Sequence, residues 1–316
     1  MLSGAIDAMS TLQPAVEAAA GQAVSVLRPI VLGVSGGAIA AAAAAIGMPA
    51  AHMRELAVRF PGEQVLGRSN VRSLIARRTL YPAADIRTVA RAVVADRSFA
   101  DFALSDAPGE RSVHTGRSSL IITVFSARWG TLFLPQDLWR LGLDDMLVAD
   151  ALVAATRIPG VLPPAPGLDD LFDGAIHHRV PYEVFLPHHA LVLDLYGPRP
   201  YRSLGGLALP AVHPGLPPIP FRPRPFRDPA VRERTIFANL PYGSSLKSPV
   251  RQPGTLFDLG RRLATRWMAA RNIDELSRLL GLPTFDRRPA HIARPDRPNP
   301  AQADGLLQHW RSEITR

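Results

Sequence analysis

Residues 31–40 read Val-Leu-Gly-Val-Ser-Gly-Gly-Ala-Ile-Ala, an apolar segment that enters a glycine-rich turn and continues into alanines. This pattern predicts a buried strand, a tight turn and a helix that starts at Gly36. A serine in such a turn has an exposed hydroxyl, and small neighbours leave backbone N–H groups free to face an oxyanion. The positive end of the helix points to the same place. Ser35 is therefore a candidate nucleophile, and Gly33, Gly36 and Gly37 form the motif around it.

Two other interpretations of this segment fit less well. Residues 30–51 carry no charge, which is compatible with a membrane span, but alanine and glycine make the segment only weakly hydrophobic and Ser-Gly-Gly is typical of a turn. Two adjacent glycines do not give the G-x-G-x-x-G spacing of a dinucleotide loop, and no basic residue follows to make a phosphate loop. The sequence thus favours a strand, a turn and a helix.

The composition is that of a globular protein. The chain has 316 residues, of which 47% are hydrophobic and 20% charged, so it is long enough to bury a substantial core. It contains no cysteine, which excludes disulfides, thiolate metal sites and cysteine catalysis. No basic segment precedes the first charged residue, Asp7, so we predict no secretory signal and expect a cytoplasmic location.

Charge and proline divide the chain into three parts. Residues 1–219 contain 18 basic and 18 acidic side chains, whereas residues 220–316 contain 18 basic and 9 acidic ones, which accounts for the whole net charge of +9. Ten prolines lie from Pro198 to Pro229, and so proline-rich a stretch forms neither a helix nor a central strand. We predict a core over residues 1–197, a connector or arm over 198–229 and a basic, partly helical extension over 230–316.

The core alternates segments of helical and strand character. Asp7–Val24, Asp85–Val94 and Asp144–Thr156 have the composition of helices. Ser119–Ser126 and Ala190–Leu195 are continuous apolar runs, as expected for buried strands. Such alternation predicts an α/β fold.

A second candidate group follows the last of these helices. Residues 154–164 read Ala-Ala-Thr-Arg-Ile-Pro-Gly-Val-Leu-Pro-Pro, and residues 171–181 read Leu-Phe-Asp-Gly-Ala-Ile-His-His-Arg-Val-Pro. Asp173 follows two apolar residues and precedes Gly174, so its carboxylate is expected at a strand end with little bulk beside it. That position suits a general base. Taken alone, however, Asp-Gly is more typical of an aspartate that bonds its own turn backbone.

Together these blocks resemble the patatin-like phospholipase family, whose three signatures occur in the same order. The three matching segments are the serine turn at 33–37, the block at 154–164 and the Asp-Gly-Ala segment with its following proline. The resemblance covers about residues 4–195. It implies a three-layer α/β/α fold and a catalytic dyad without histidine, in which Ser35 is the nucleophile and Asp173 the base. It also implies a lipid or other carboxylic ester as substrate, an oxyanion held by the N–H of Gly36, and neither a cofactor nor a metal.

The N-terminus departs from the family pattern. Family members open with a strand and a Gly-Gly-Gly-x-Arg/Lys-Gly loop that supplies oxyanion donors, whereas this chain begins Met-Leu-Ser-Gly-Ala-Ile-Asp. Only Gly4 corresponds to the last glycine of that loop, and we expect it to be the second oxyanion residue. Either the natural start lies upstream of Met1, or the hydrolase has lost activity and retains the fold for binding a lipid or a partner. Because Ser35 and Asp173 are both present, the first explanation is favoured.

The histidines suggest two further sites. His177-His178 and His188-His189 are possible metal ligands, but adjacent histidines on a strand point to opposite sides and no carboxylate pair accompanies them. A Ser-His-Asp triad would use Ser35 with a later histidine such as His213 or His291. That arrangement belongs to a fold with several strands before the serine, and the 34 residues ahead of Ser35 leave no room for them.

The extension contains one predicted helix, Thr255–Ala270. Leucines and Trp267 form a stripe along it, with Arg261, Arg262 and Arg266 beside the stripe. The helix either packs its stripe on the core or lies on an anionic membrane surface, which would give peripheral membrane contact. Binding to nucleic acid is a third alternative that rests on charge alone, since no recognition motif is present.

Overall fold

The computed structural model describes residues 2–10, 30–59, 62–104, 118–185, 191–197, 210, 226, 228–240, 253–272 and 275–276. The strands are β1 (Val31–Val34), β2 (Leu120–Ser126), β3 (Gly130–Leu134), β4 (Leu171–Asp173), β5 (Val192–Asp194) and β6 (Thr235–Phe237). The α-helices are α1 (Leu2–Ser10), α2 (Gly36–Ala45), α3 (Ala50–Val58), α4 (Gly62–Leu66), α5 (Val71–Arg77), α6 (Ile86–Val94), α7 (Leu138–Leu141), α8 (Val148–Thr156), α9 (Pro229–Glu233) and α10 (Pro253–Ala269).

Strand β2 organises the main sheet. β1 runs parallel to it, with Val34 opposite Thr123, and β4 runs antiparallel to it, with Asp173 opposite Val124. β3 pairs antiparallel with residues 122–126 of β2. That stretch includes residues of β2 that also pair with β1 and residues that also pair with β4. Because β3 fills one edge of β2, β1 and β4 share the other edge. They run toward each other along it, and their carboxyl ends meet.

Helices cover one face of this sheet. Leu120, Ile122 and Val124 of β2 point to a single core that also contains buried residues of α2, α6 and α8. The opposite face carries a smaller cluster that includes Phe125 and Phe172. The α/β class predicted from the sequence is confirmed, and the sheet is mixed.

The strand preceding the serine turn lies unusually close to the helix following it. A Cβ atom on Gly33 would lie 2.2 Å from the Cα of Ala38 and 2.9 Å from the Cβ of Ala41. Only glycine at 33, opposite alanines in α2, allows this approach. The glycine and alanine content of the motif is thus explained by packing as well as by the turn.

A second group of elements joins the two ends of the described chain. α1 packs along α10, and Ala5, Ala8, Ala264 and Met268 form a buried cluster with Ile236 of β6. β5 and β6 pair in parallel as a separate two-stranded sheet. Elements before and after the predicted connector therefore pack together. Most of the connector lies outside the described residues, and the three-part division remains a prediction.

Several predicted elements have different bounds in the structure. The helix predicted over Asp144–Thr156 begins at Val148, because a turn occupies residues 144 and 145. Helix α1 spans Leu2–Ser10, and residues 11–24 of the predicted helix lie outside the described residues. Helix α10 begins at Pro253, and its Phe257, Ala264 and Met268 are buried. The sequence did not predict β3 or α5.

None of the helices in the described part of the chain combines the length and apolar character needed to cross a membrane. Residues 30–51, which raised that alternative, form β1, α2 and the start of α3 instead.

Replacing Gly33 with alanine should destabilise the fold. The new methyl group would overlap the backbone of Ala38, and overpacking of this kind costs about 1–3 kcal/mol or more. Urea denaturation should show a lower midpoint for Gly33→Ala. Gly254→Ala in α10 is the matched control, because its Cβ would meet only Val58 at 3.8 Å; an equal loss in both variants would contradict this account.

Candidate active site

Ser35 occupies a strained turn between β1 and α2. Its φ and ψ angles are 57° and −139°, and it is the N-cap residue of α2 without capping the helix through its own side chain. A non-glycine residue rarely adopts a positive φ, and such strain is concentrated at functional sites. This conformation is the one expected of a nucleophile elbow.

Asp173 lies where β4 ends and is almost fully buried, with 3% exposure. Its Oδ2 accepts a 2.6 Å hydrogen bond from the Oγ of Ser35. Its Oδ1 accepts a hydrogen bond of 2.8 Å from the N–H of Ala175, and its own N–H donates to the carbonyl of Arg157 at 2.8 Å. The structure thus brings the two candidate residues together, and backbone groups fix the carboxylate.

Gly174 allows the carboxylate to be this close to β2. A Cβ atom at 174 would lie 2.6 Å from the carbonyl oxygen of Thr123 and 2.7 Å from its Cγ2. Thr123 is opposite Val34, the residue before Ser35. A side chain at 174 would therefore push the end of β4 away from the serine turn.

The Asp173 carboxyl has an altered affinity for protons. Burial raises its pKa to about 6, although the hydrogen bonds from Ser35 and Ala175 act in the opposite direction. A carboxylate with this pKa is ionised at neutral pH and still accepts a proton readily. It is suited to general-base chemistry.

The serine turn is open on the side of Gly36. Gly36 is exposed, and a Cβ atom there would meet nothing within 4 Å. Gly36 and Gly37 are in the first turn of α2, where backbone N–H groups have no acceptor within the helix. An acyl oxygen therefore has both space and donors at this point.

The beginning of α1 lies beside the same turn. A Cβ atom on Gly37 would lie 3.3 Å from the Cδ1 of Leu2, the first residue of α1. Gly4 follows in the first turn of α1 and packs against α10, where an added Cβ would lie 1.9 Å from the carbonyl oxygen of Phe257. Glycine at position 4 is thus required by helix packing, a constraint that the sequence did not reveal. Its N–H belongs to the first turn, which has no acceptors within the helix.

Arg157 is a site residue that the sequence analysis missed. Its Nη1 donates to the carbonyls of Leu168, Asp169 and Leu171 at 3.3, 2.6 and 2.9 Å. Its guanidinium lies 4.2 Å from the ring centre of Phe172, and burial lowers its pKa to about 10. The side chain holds the segment that leads into β4 while its backbone carbonyl holds Asp173. The only sequence signal was its position inside the block at 154–164.

The histidines have other surroundings. The Nδ1 of His177 shares a 2.5 Å hydrogen bond with the Oγ1 of Thr131, and its ring packs on Phe125. His178 lies in the loop that follows. Within the part of the chain that the structure describes, no group of three or more histidine, cysteine, aspartate or glutamate residues is arranged to hold a metal ion. The other histidines considered, His188, His189, His213 and His291, lie outside the described residues.

The comparison with family models matches the patatin-like phospholipase model to residues 3–186. The match spans more than half of the chain, and the chain therefore belongs to the patatin-like phospholipase family, as the sequence motifs predicted. Members of this family are lipid acyl hydrolases. A comparison with curated proteins gave no match.

Removing the Arg157 side chain should destabilise the segment leading into β4. Arg157→Ala removes the guanidinium donor from three carbonyls, and hydrogen bonds from a charged group are worth about 1.5–3 kcal/mol each. We expect a loss of roughly 2–4 kcal/mol in the free energy of unfolding, measured by urea denaturation. Arg262→Ala, at an exposed position of α10, is the control and should change stability little. An equally small effect at Arg157 would show that the bonds contribute nothing.

The raised pKa of Asp173 predicts a pH-dependent stability. The carboxyl has a folded-state pKa of about 6 and an ordinary value of 3.8, so the native state binds the proton more tightly than the unfolded state. The contribution of this proton to the free energy of unfolding is therefore lost as pH rises from about 4 to 6. Asp173→Asn removes that dependence. The variant should gain on the order of 2–3 kcal/mol relative to the natural protein between pH 4 and 7.

Chemical denaturation at several pH values measures this difference. Asp145→Asn, at an exposed aspartate, should run parallel to the natural protein. If Asp173→Asn does so as well, the carboxyl is not desolvated in the folded state.

Proposed function

We propose that this protein is a serine hydrolase that cleaves carboxylic esters of lipids through a dyad of Ser35 and Asp173. The observation that carries the proposal is the 2.6 Å hydrogen bond from the Ser35 Oγ to the Asp173 Oδ2. Membership of a family of lipid acyl hydrolases supports the reaction class. The strained backbone at Ser35 and the buried carboxylate support the division of roles.

Acylation begins with the ester carbonyl next to Ser35. The Ser35 Oγ attacks the carbonyl carbon as its proton passes to the Oδ2 of Asp173, which gives a tetrahedral intermediate and a neutral carboxylic acid. Collapse of the intermediate breaks the bond to the alcohol oxygen. The alcohol leaves with the proton that Asp173 held, and Ser35 becomes acylated.

The oxyanion would be held by the N-terminal ends of two helices. The N–H groups of Gly36 and Gly37 lie in the first turn of α2, and that of Gly4 lies in the first turn of α1. Both helix ends carry partial positive charge. Removing one oxyanion donor typically lowers turnover by about 10²- to 10³-fold, so the start of α1 contributes directly to activity in this scheme.

Deacylation reverses the roles. Asp173 takes a proton from water, and the resulting hydroxide equivalent attacks the acyl carbon. The second tetrahedral intermediate then collapses with cleavage of its bond to the Ser35 Oγ, which takes the proton back from Asp173 as the carboxylic acid is released. One carboxylate serves both half-reactions, and no histidine takes part.

The second candidate function is lipid or partner binding without catalysis. It is favoured by the position of Gly4, which is buried against α10 in the first turn of α1. The basic C-terminal region, including the exposed Arg262 and Arg266 of α10, would then contribute to contact with an anionic membrane. Covalent labelling separates this candidate from the enzyme.

Ser35→Ala and Asp173→Asn should each abolish hydrolysis of a short p-nitrophenyl ester, because they remove the nucleophile and the base. A fluorophosphonate probe should label the natural protein at Ser35, as located by peptide mass spectrometry. Ser98→Ala and Asp145→Asn are the controls and should keep both properties. Absence of labelling in a folded natural protein would favour the binding protein, and normal rates in either dyad variant would refute the dyad.

The pH dependence of hydrolysis provides an independent check of the base. Since Asp173 must be ionised to accept the proton, kcat/KM should rise as pH increases through about 6, the pKa of this carboxyl. A rate that is constant between pH 5 and 7, or falls over that range, would assign the proton transfer to another group.

A further inference from the structure

Helix α5 turns its apolar side outward. Val71, Leu74 and Ile75 share one face, because they are spaced by three and four residues, and they are 66%, 38% and 79% exposed. Ser73 lies about 200° around the helix from Val71 and is buried at 7% exposure. A surface helix of a globular protein normally has the opposite arrangement. This helix is inverted, with a serine inside and aliphatic side chains outside.

Hydrogen bonds at both ends hold α5 in this orientation. The Asn70 side chain accepts a bond of 3.1 Å from the Ser73 N–H and caps the first turn. Arg78 ends the helix in the left-handed conformation, with its N–H directed to the carbonyl of Ser73. Beyond the helix, the Leu80 N–H donates to the Gly160 carbonyl at 2.9 Å. The outward apolar face is therefore a fixed property of the fold.

Arginines surround this face. Residues 64–84 contain four arginines and no acidic residue; the arginines are Arg68, Arg72, Arg77 and Arg78, all exposed. An aliphatic face bordered by guanidinium groups matches the boundary of an anionic bilayer. The aliphatic groups enter the acyl region there, and the cations meet the phosphates of the headgroups. Nucleic acid would use the charge but not the exposed isoleucine and valine.

The helix is attached to the segment that positions the candidate base. The Cδ1 of Leu74 lies 3.8 Å from where a Cβ on Gly160 would be, and the Tyr81 N–H donates to the Val161 carbonyl at 2.9 Å. Three residues before Gly160, the carbonyl of Arg157 accepts from the N–H of Asp173. A surface bound at α5 is thus connected by one short segment to the dyad.

We propose that α5 and its flanking arginines form a docking face for anionic lipid surfaces. This proposal rests on the proposed function for its biological purpose, delivery of a lipid ester to the dyad, but docking itself requires no catalysis. It also places membrane contact at α5 rather than α10. In α10 the arginines are exposed, whereas Phe257, Ala264 and Met268 are buried, so that helix presents charge without an aliphatic face.

The absence of cysteine from the chain allows a direct test. In a Ser35→Ala background, which prevents turnover, a single Ile75→Cys substitution is labelled with an environment-sensitive fluorophore. The matched control carries the label at Arg262→Cys, on the exposed side of α10. Each protein is mixed with phosphatidylcholine vesicles, with and without phosphatidylglycerol.

On phosphatidylglycerol vesicles we expect a blue shift and protection from a water-soluble quencher at position 75, with neither at position 262. Vesicles of phosphatidylcholine alone should produce little change, and added salt should weaken binding. Equal shifts at both positions, or none at 75, would overturn the proposal. Three other results would also overturn it. A shift at 75 without vesicles would mean that another part of the chain covers the face, and a shift that grows with protein concentration would mean that a second copy does. A shift that appears on adding DNA would mean that nucleic acid covers it.

Charge reversal tests the arginines without a label. Because one basic residue near an anionic surface contributes about fivefold to binding, Arg72→Glu with Arg77→Glu should weaken vesicle binding at least ~20-fold in a sedimentation assay. Arg262→Glu with Arg266→Glu should have a much smaller effect. Equal losses would assign binding to overall charge and overturn the local docking face.

The binding and activity results are separable. Loss of vesicle binding together with normal hydrolysis of a soluble ester in the natural protein would overturn the docking face and leave the proposed function intact. Vesicle binding without fluorophosphonate labelling would overturn the proposed function and leave the docking face intact.

Discussion

The structure around the candidate site depends on the meeting of two strand ends on one edge of β2. β1 arrives from one direction and β4 from the other. Ser35, which follows β1, and Asp173, the last residue of β4, therefore come within hydrogen-bond distance although 138 positions separate them in the chain. Two close backbone approaches maintain this meeting, and each requires a glycine: Gly33 against α2 and Gly174 against Thr123. The glycines of the motifs therefore serve sheet and helix packing as much as the turn itself.

The same arrangement places unfavourable features in one location. Ser35 has a positive φ, and Asp173 is a carboxyl removed from water. Neither would persist without the packed core that surrounds them, and Arg157, with its three carbonyl partners, holds the segment before β4 in place. In the proposed chemistry these features are useful, because a strained turn exposes the hydroxyl and burial lets the carboxylate accept a proton near neutral pH.

The two ends of the described chain pack together beside this centre, which is one of the alternatives that the sequence left for the C-terminal helix. α10 packs its apolar residues on α1, which in turn places Leu2 beside Gly37. The exposed aliphatic side chains at 71, 74 and 75 belong instead to α5. A hydropathy pattern marks a helix as amphipathic but does not state which side meets the protein. The tertiary contacts bury the apolar side of α10 and leave that of α5 exposed.

The sequence by itself determined the local units: the strand and helix around Ser35, the buried run of β2, the α/β class and the family. Each follows from neighbouring residues, through periodicity, glycine turns and motif spacing. It did not determine β3, the packing constraint on Gly4 or the contacts of the Arg157 side chain. For Asp173 the local pattern alone favoured a turn aspartate, and the general base followed only from the family resemblance. Only the tertiary structure shows these pairings and contacts, and it shows that the Asp173 carboxyl bonds both its own turn and Ser35. Strand pairing, burial and helix crossing depend on residues far apart in the chain, and a carboxyl acquires a raised pKa only when distant elements exclude water from it.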